Sequence, residues 1–498
     1  MSNIMQSLQP SDLAAIIPEI GLLILAILVM VFDLLWPTSR KRNLGFLTAG
    51  GLVVILAVLL TVGYPTGEPE AAFGGVVRHD AAAVIFQSLF LVAAAITAIL
   101  SMDIEKLRQG EYYAILLVST LGMSLMASAT DLVMLYIAVE TTSISAYVLV
   151  GFLRNDDKSA EAGIKYLLFG AFASTVMLYG LSLLYGYTGT TNIYEIAQLI
   201  QLVGLPEDAV IVAAVLILVG FSFKIAAVPF HFWTPDVYEG APTPITAFIS
   251  VASKSAGFAL LLRFFMAGTA GVVHPSNEWV PMLTSFSVAT MVLGNLLAIW
   301  QTNIKRFLAY SSIAHAGYTL MGVVAFLPRN AVIPTADGAG AAIFYLAAYM
   351  LTNLAAFAIV IFFANLTGSD EIKDYAGLSR RSPYLALAMM FALLSLAGIP
   401  PLAGFFAKFF LFRAAVEAGL TWLAIVGVLN AIVGLYYYLM VVRVMYLFRA
   451  EPEVEAIPIP VSRSGAFVLV LCIAGILFVG IYATPLFQWA SHAAEALF

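Results

Sequence analysis

Apolar runs of about twenty residues recur along the whole chain, each long enough to cross roughly 30 Å of hydrocarbon. Short clusters of polar residues, glycine and proline separate them. Runs such as Leu22–Val31 and Leu52–Leu60 are apolar without alternation, so they read as helices; membrane barrel strands alternate apolar and polar over about ten residues. Reading runs between breaks predicts an all-α integral membrane protein with about fourteen transmembrane helices. Their limits are 13–35, 43–63, 80–101, 111–129, 132–153, 160–187, 209–229, 242–267, 280–300, 305–327, 339–367, 382–417, 422–448 and 463–485. The first run lacks a basic flank and a small-residue cleavage site, so it is expected to be a retained span.

Two stretches resist reading as simple helices. Residues 382–417 would form a rod of about 54 Å, and Gly398-Ile-Pro-Pro401 interrupts it. The other runs from Ile211 through Pro229 into His231-Phe-Trp-Thr-Pro235. If helices four to eight and nine to thirteen form two five-helix repeats, the breaks fall at corresponding places in the seventh and twelfth helices. Five-helix units in succession have opposite orientations, so the repeat is inverted, an arrangement that marks transport sites. Proline kinks are also common in membrane helices, and the lysines fit the repeat imperfectly: Lys224 precedes its proline and Lys408 follows its own. This reading divides the chain into an N-terminal three-helix segment (1–110), a first repeat (111–267), a second (280–448) and a C-terminal helix (449–498).

Composition agrees with the pattern. The 498 residues are 62% hydrophobic and 10% charged, against about 25% charged in soluble domains. The one cysteine, Cys472, lies in an apolar run, which excludes a disulfide or a cysteine metal site within one chain. Charge then orients the helices. Fifteen of the 23 Lys and Arg fall in alternate loops, from Arg40, Lys41 and Arg42 to Arg443, Arg449 and Arg463. The intervening loops hold Arg78 and Arg329, with Arg263 and Arg413 near the same face. The positive-inside rule places the odd-numbered loops in the cytoplasm and both termini outside, and supports an even number of spans.

Subtracting the loop residues leaves Lys165, Lys224, Lys254 and Lys408 inside spans, and one carboxylate clearly at depth, Glu140. Asp33, Asp80 and Asp131 sit at helix ends, and Glu19 lies early in the first helix. Intramembrane charges cost about 2.5–3.5 kcal/mol each on insertion scales. One glutamate cannot pair with all four lysines, so structural anchoring alone does not account for them. Lysine suits proton transfer because burial lowers its pKa readily, whereas arginine stays charged. Lys224 and Lys254 flank the first break. Thr246, Ser250, Ser253 and Ser255 surround Lys254 with hydroxyls, and Lys408 sits among Phe405, Phe406, Phe409 and Phe410. Lys165 is about a turn and a half into its helix, where snorkelling to the headgroups and membership of the line are both open. His315 follows Tyr310, Ser311 and Ser312; a lone buried histidine is usually a satisfied core residue, but between two lysines it suits a relay. His231 marks the first break, while His79, His274 and His492 lie in or near loops. There is no Walker loop, dinucleotide fingerprint, His–Glu metal motif or paired haem histidines.

Three stretches resemble the antiporter-like membrane subunits of bacterial NADH:quinone oxidoreductase, complex I. They are Phe221–Pro242 (FSFKIAAVPFHFWTPDVYEGAP), Gln301–His315 (QTNIKRFLAYSSIAH) and Ser395–Phe409 (SLAGIPPLAGFFAKF), and the likeness extends over nearly all the helices. The variants Val-Tyr-Glu-Gly-Ala-Pro and Tyr136-Ile-Ala-Val-Glu140 look most like the N branch, related to mitochondrial subunit 2. The L branch is longer, and the M branch carries glutamate at the position resembling Lys408. The resemblance implies a proton-translocating subunit of the inner membrane, with Glu140 and Lys224 as the charge pair of one half-channel. Lys254 would be the central acceptor, and His315 and its waters the bridge to Lys408. It implies no cofactor in this chain. NADH, FMN, iron–sulfur clusters and quinone would belong to other subunits, and a homologous antiporter-like subunit would be among the partners. Two alternatives are a subunit of a cation/proton antiporter or membrane-bound hydrogenase, and a scaffold that moves no protons.

Overall fold

The computed structural model describes residues 10–65, 69–203, 207–269, 279–326, 336–455 and 457–497; Arg329 and His274 lie outside them. Among the described residues, thirteen helices are long and apolar enough to cross a membrane. The main helices are α1 (Ile17–Leu35), α2 (Asn43–Thr61), α3 (Ala81–Ser101), α4 (Gly110–Ser128), α5 (Leu132–Val150) and α6 (Asp157–Thr188). Then follow α7 (Glu207–Ile225), the short α8 (Trp233–Gly240) and α9 (Thr243–Phe248), and α10 (Lys254–Thr269), with a π-helical turn at Ile249–Ser253 joining α9 to α10. The second part comprises α11 (Trp279–Ala298), α12 (Ile304–Ala325), α13 (Asp337–Thr367), α14 (Pro383–Ala397), α15 (Ala403–Glu417), α16 (Thr421–Leu447), α17 (Arg463–Ile481) and α18 (Ala483–Glu495).

The polar residues between apolar runs start the helices by chemistry, not by default. Asp80, Asp131, Asp156, Asn303 and Ser462 each accept hydrogen bonds from the first free N–H groups of the helix that follows, which leaves fewer orphan donors at those ends. Both expected interruptions are present. α7 stops at Ile225 because Ala226 adopts φ +60°, a left-handed conformation that an alanine adopts at a cost. The expected span 382–417 is two helices of fifteen residues each, α14 and α15, so it supplies the fourteenth crossing as two halves. Gly398, at φ +91°, ends the first half, and Gly404 begins the second so close that a Cβ there would lie 1.8 Å from the Ser395 carbonyl oxygen.

Several elements went unforeseen: a two-stranded hairpin of β1 (Glu70–Ala72) and β2 (Val77–His79), a surface helix Ile193–Val203, and α18. Burial separates the spans by role. In the most apolar stretch of α1, 33% of residues are buried; in Thr243–Phe265, α12 and α13 the figures are 100%, 94% and 89%. Those central helices carry Lys254 and His315.

Candidate functional site

The first break is held from several sides. Trp233 Nε1 donates to the Phe223 carbonyl oxygen at 3.1 Å, and the Trp233 ring stacks on Tyr166 at 4.4 Å. The Val228 N–H donates to Thr290 Oγ1 at 2.9 Å. The freed backbone groups of the interruption therefore meet protein partners, as buried irregular backbone must. Lys224 lies in the last turn of α7 and is buried. Its Nζ donates to Ser143 Oγ on α5 at 3.0 Å. Ser143 stands three residues after Glu140 on the same helical face. Among the described residues no ion pair within 4.0 Å joins Glu140 to Lys224; the serine supplies the contact. Glu140 is half-buried and its Oε1 has no partner. The stem of Lys224 packs on Gly257, where a Cβ would come within 3.2 Å of Lys224 Cγ. Gly257 is three residues beyond Lys254, so one helical turn separates the two lysine sites along α10.

Lys254 does not use the hydroxyls of its own helix. Ser250 and Ser255 donate to the carbonyl oxygens of Ala247 and Val251, and Thr246 to that of Tyr238. The two serines close back onto the backbone of the preceding turn and the threonine onto the end of α8, whereas the longer lysine reaches α12. There Nζ donates to the Ser312 carbonyl oxygen at 2.7 Å and to Ser312 Oγ at 2.5 Å. Ser312 Oγ also accepts from Tyr349 OH at 2.8 Å.

His315 is one turn further along α12 and buried. Its Nδ1 lies 2.6 Å from Tyr345 OH and its Nε2 3.1 Å from Tyr438 OH; Tyr438 OH bonds in turn to Ser311 Oγ. A hydroxyl both donates and accepts, so each contact suits either imidazole tautomer. Beyond it lies a cavity of about 10 Å³, room for about one water. His315, Tyr345, Tyr349, Thr352, Ser395 and Lys408 are among its lining residues.

Lys408 also departs from expectation. Its head turns away from the neighbouring phenylalanines to the end of α14, donating to the carbonyl oxygens of Leu396 at 2.8 Å and Ala397 at 2.9 Å. These carbonyls belong to the last turn before the break, where they lack helical partners and carry the negative end of the helix dipole. Desolvating an ammonium costs several kcal/mol, and hydrogen bonds to a charged group return about 1.5–3 kcal/mol each.

Lys165 belongs to a different group. It is ion-paired with Asp236 at 2.6 Å and Glu161 at 2.7 Å. Arg306 joins Asp236 and Glu239, and Lys158 joins Glu239. This network straps α8 to α6 and α12. Burial alone would push the Asp236 carboxyl up, but the hydrogen bonds from Lys165 and Arg306 outweigh it and hold the group below its ordinary value. Glu239 is held down in the same way by Lys158 and Arg306.

Four sets of buried polar groups were not evident from the sequence. The tyrosines Tyr345, Tyr349 and Tyr438 carry no formal charge and so escaped a search for buried charges; their placement near a histidine was the available signal. Arg263, assigned to a face, is buried and bonded by both Nη atoms to Asp80, with Nε donating to the Ala127 carbonyl oxygen. Lys305, counted as a loop charge, is buried and donates to the carbonyl oxygens of Glu239 and Ala241 at the end of α8. Glu19 is buried as well, accepting from Ser124 Oγ at 2.7 Å and Gln87 Nε2 at 3.3 Å.

Comparison with known proteins places this arrangement. Residues 129–434 match the family described as NADH:quinone oxidoreductase/Mrp antiporter, TM. The chain is 47% identical to NADH-quinone oxidoreductase subunit N of Moorella thermoacetica, covering 94% of this chain and 96% of that one. It is 42% identical to the subunit N of Trichlorobacter lovleyi, covering 99% of both. A chain of respiratory complex I from Thermus thermophilus superposes with a TM-score of 0.77 at 31% identity over 95% of this chain and 98% of that one. A chain of the Mrp complex from Dietzia shares the fold, with a TM-score of 0.78 at 24% identity over 98% of this chain and 97% of that one. The chain belongs to the NADH:quinone oxidoreductase/Mrp antiporter family of membrane subunits, in its subunit N branch.

Proposed function

We propose that this chain moves protons through the membrane arm of an NADH:quinone oxidoreductase. The path runs from Glu140 and Lys224 through Lys254 to His315 and Lys408. The observation that carries the reading is the buried run of exchangeable groups from Lys254 Nζ through Ser312 and Tyr349 to the cavity that His315 and Lys408 share. A scaffold has no use for an unpaired lysine and a histidine facing a space fit for water, with a second unpaired lysine linked to it through Ser312 and Tyr349. Hydroxyl, imidazole and amine groups each accept one proton and release another, so a water in the cavity would complete the connection. Lys165, bound in the α8 network, serves as an anchor in this account.

Residues 111–267 and 280–448 act as two inverted units, each contributing one discontinuous helix. The termini face the outside of a bacterial inner membrane, as the loop charges direct. Nicotinamide, flavin, iron–sulfur and quinone chemistry takes place in other subunits. Its energy must exceed about 2.3 kcal/mol for each proton moved against 100 mV.

The test is Glu140→Ala and Lys224→Ala in the whole complex, assembled in liposomes and supplied with NADH and quinone. Proton uptake per electron falls several-fold in both if the reading is right. Uptake at the wild-type ratio in assembled complexes would leave only a scaffold.

A further inference from the structure

The two carbonyls that hold Lys408 do not by themselves select a charged lysine, since a neutral amine also has two N–H groups to donate. The third direction does. Lys408 Nζ stands 5.0 Å from the centroid of the Tyr318 ring, within the distance at which the negative face of an aromatic ring attracts a cation. An amine lone pair would gain nothing there. The ring is fully buried and held in place: Tyr318 OH accepts from Asn295 Nδ2 at 3.3 Å. Asn295 is itself fixed by the Met291 carbonyl oxygen, Asn430 Oδ1 and Tyr437 OH. Tyr318 lies one helical turn after His315, with their rings 6.0 Å apart. It therefore stands beside both the histidine and the lysine that share the cavity.

We propose that Tyr318 is a positioning residue for Lys408, its ring face completing a three-sided seat with the carbonyls of Leu396 and Ala397 and keeping the ammonium at the cavity. Asn295, Tyr437 and Asn430 set the angle of that ring. The proposal rests on the relay reading above, because it gives Lys408 a role in transfer. It adds a group with no titration in the physiological range and no place in the proton path.

The experiment replaces Tyr318 in the whole complex with Phe, Leu and the mono- to trifluorinated phenylalanines, and measures protons moved per electron in liposomes. Fluorine drains the ring face of negative charge while nearly preserving its shape. Tyr318→Phe, which keeps the ring face but gives up the Asn295 hydrogen bond, loses little pumping, Tyr318→Leu lowers it several-fold, and the fluorinated series declines step by step from the Phe level. In a Lys408→Gln background the series becomes flat. A flat series in the otherwise wild-type complex, or a loss with Phe as large as with Leu, would overturn the proposal. If Lys408→Ala leaves pumping unchanged, the relay reading itself fails; if it abolishes pumping while the series stays flat, only the role of Tyr318 fails.

Discussion

The two discontinuous helices solve one problem in opposite ways. At the first break the lysine precedes the interruption and depends on another helix, since Lys224 bonds Ser143 on α5. At the second it follows the interruption and turns back to the carbonyls of its own broken partner, at Leu396 and Ala397. The backbone differs too: an alanine takes the left-handed conformation at position 226, a glycine at position 398. The first site is thus assembled from two separate helices, α5 and α7. The second is built into one junction. A charge whose partner sits on a separate span can be switched by shifting that span, whereas a charge seated on the other half of its own broken helix keeps its place. On this account Lys224 is where coupling acts and Lys408 is where a proton waits.

The contrast breaks most severely at Gly404. Gly404→Ala would force a Cβ to 1.8 Å from the Ser395 carbonyl oxygen. It should separate α14 from α15 and destabilise the subunit by more than about 4 kcal/mol, read as loss of assembled complex on native gels. Next in size is Ser143→Ala, which deprives Lys224 of its acceptor. A lost hydrogen bond to a charged group costs about 1.5–3 kcal/mol, so pumping should fall several-fold, no further than in Lys224→Ala, with assembly intact. An equal loss from Thr141→Ala, whose hydroxyl bonds back to the Ile137 carbonyl oxygen on an exposed face, would show that the effect is not specific to Lys224. Smaller still is Ala226→Gly, which relieves the left-handed strain at a cost in unfolded-chain entropy. It should raise thermal stability by about 0.5–1 kcal/mol; a loss would mean that the first break is not strained at Ala226.

The smallest effect concerns the α8 network. Asp236 and Glu239 titrate below their ordinary values in the folded protein, so the stability they contribute is complete above the unfolded carboxylate pKa, about 4. It is lost as pH falls through the lower folded value. These pairs are partly exposed and contribute little, about 1 kcal/mol or less. Hydrogen exchange across residues 233–240 should therefore quicken only below about pH 4, and Asp236→Asn should remove much of that dependence. Unchanged acid sensitivity in the variant would assign it to other carboxylates.

Much of this was legible in the sequence because hydrocarbon is an unforgiving solvent. Charges at Glu140, Lys224, Lys254 and Lys408 stand out against apolar runs, and Pro229 and Pro400 mark the breaks. Partner choice was not legible. Nothing in the spacing of Ser250 and Ser255 says that they bond to their own helix while Lys254 reaches Ser312, because that depends on how α10 and α12 lie together. The aromatic surroundings of Lys408 suggested an apolar seat, yet side-chain direction at the break turned it to carbonyls. Tyrosines escaped because a phenol is equally at home in a core, at a headgroup or in a hydrogen-bonded chain. Arg263 and Asp80 escaped because each stood near a loop, although folding brings them together in the interior.

Protons are proposed to cross through Lys254 and the hydroxyls beside it. The most direct measurement is the number of protons moved per electron by the whole complex carrying Lys254→Gln, in sealed liposomes, with assembly verified. Glutamine keeps a donor for Ser312 but cannot carry a proton. The expected ratio is well below that of the wild-type complex. A wild-type ratio would show that protons do not pass this way.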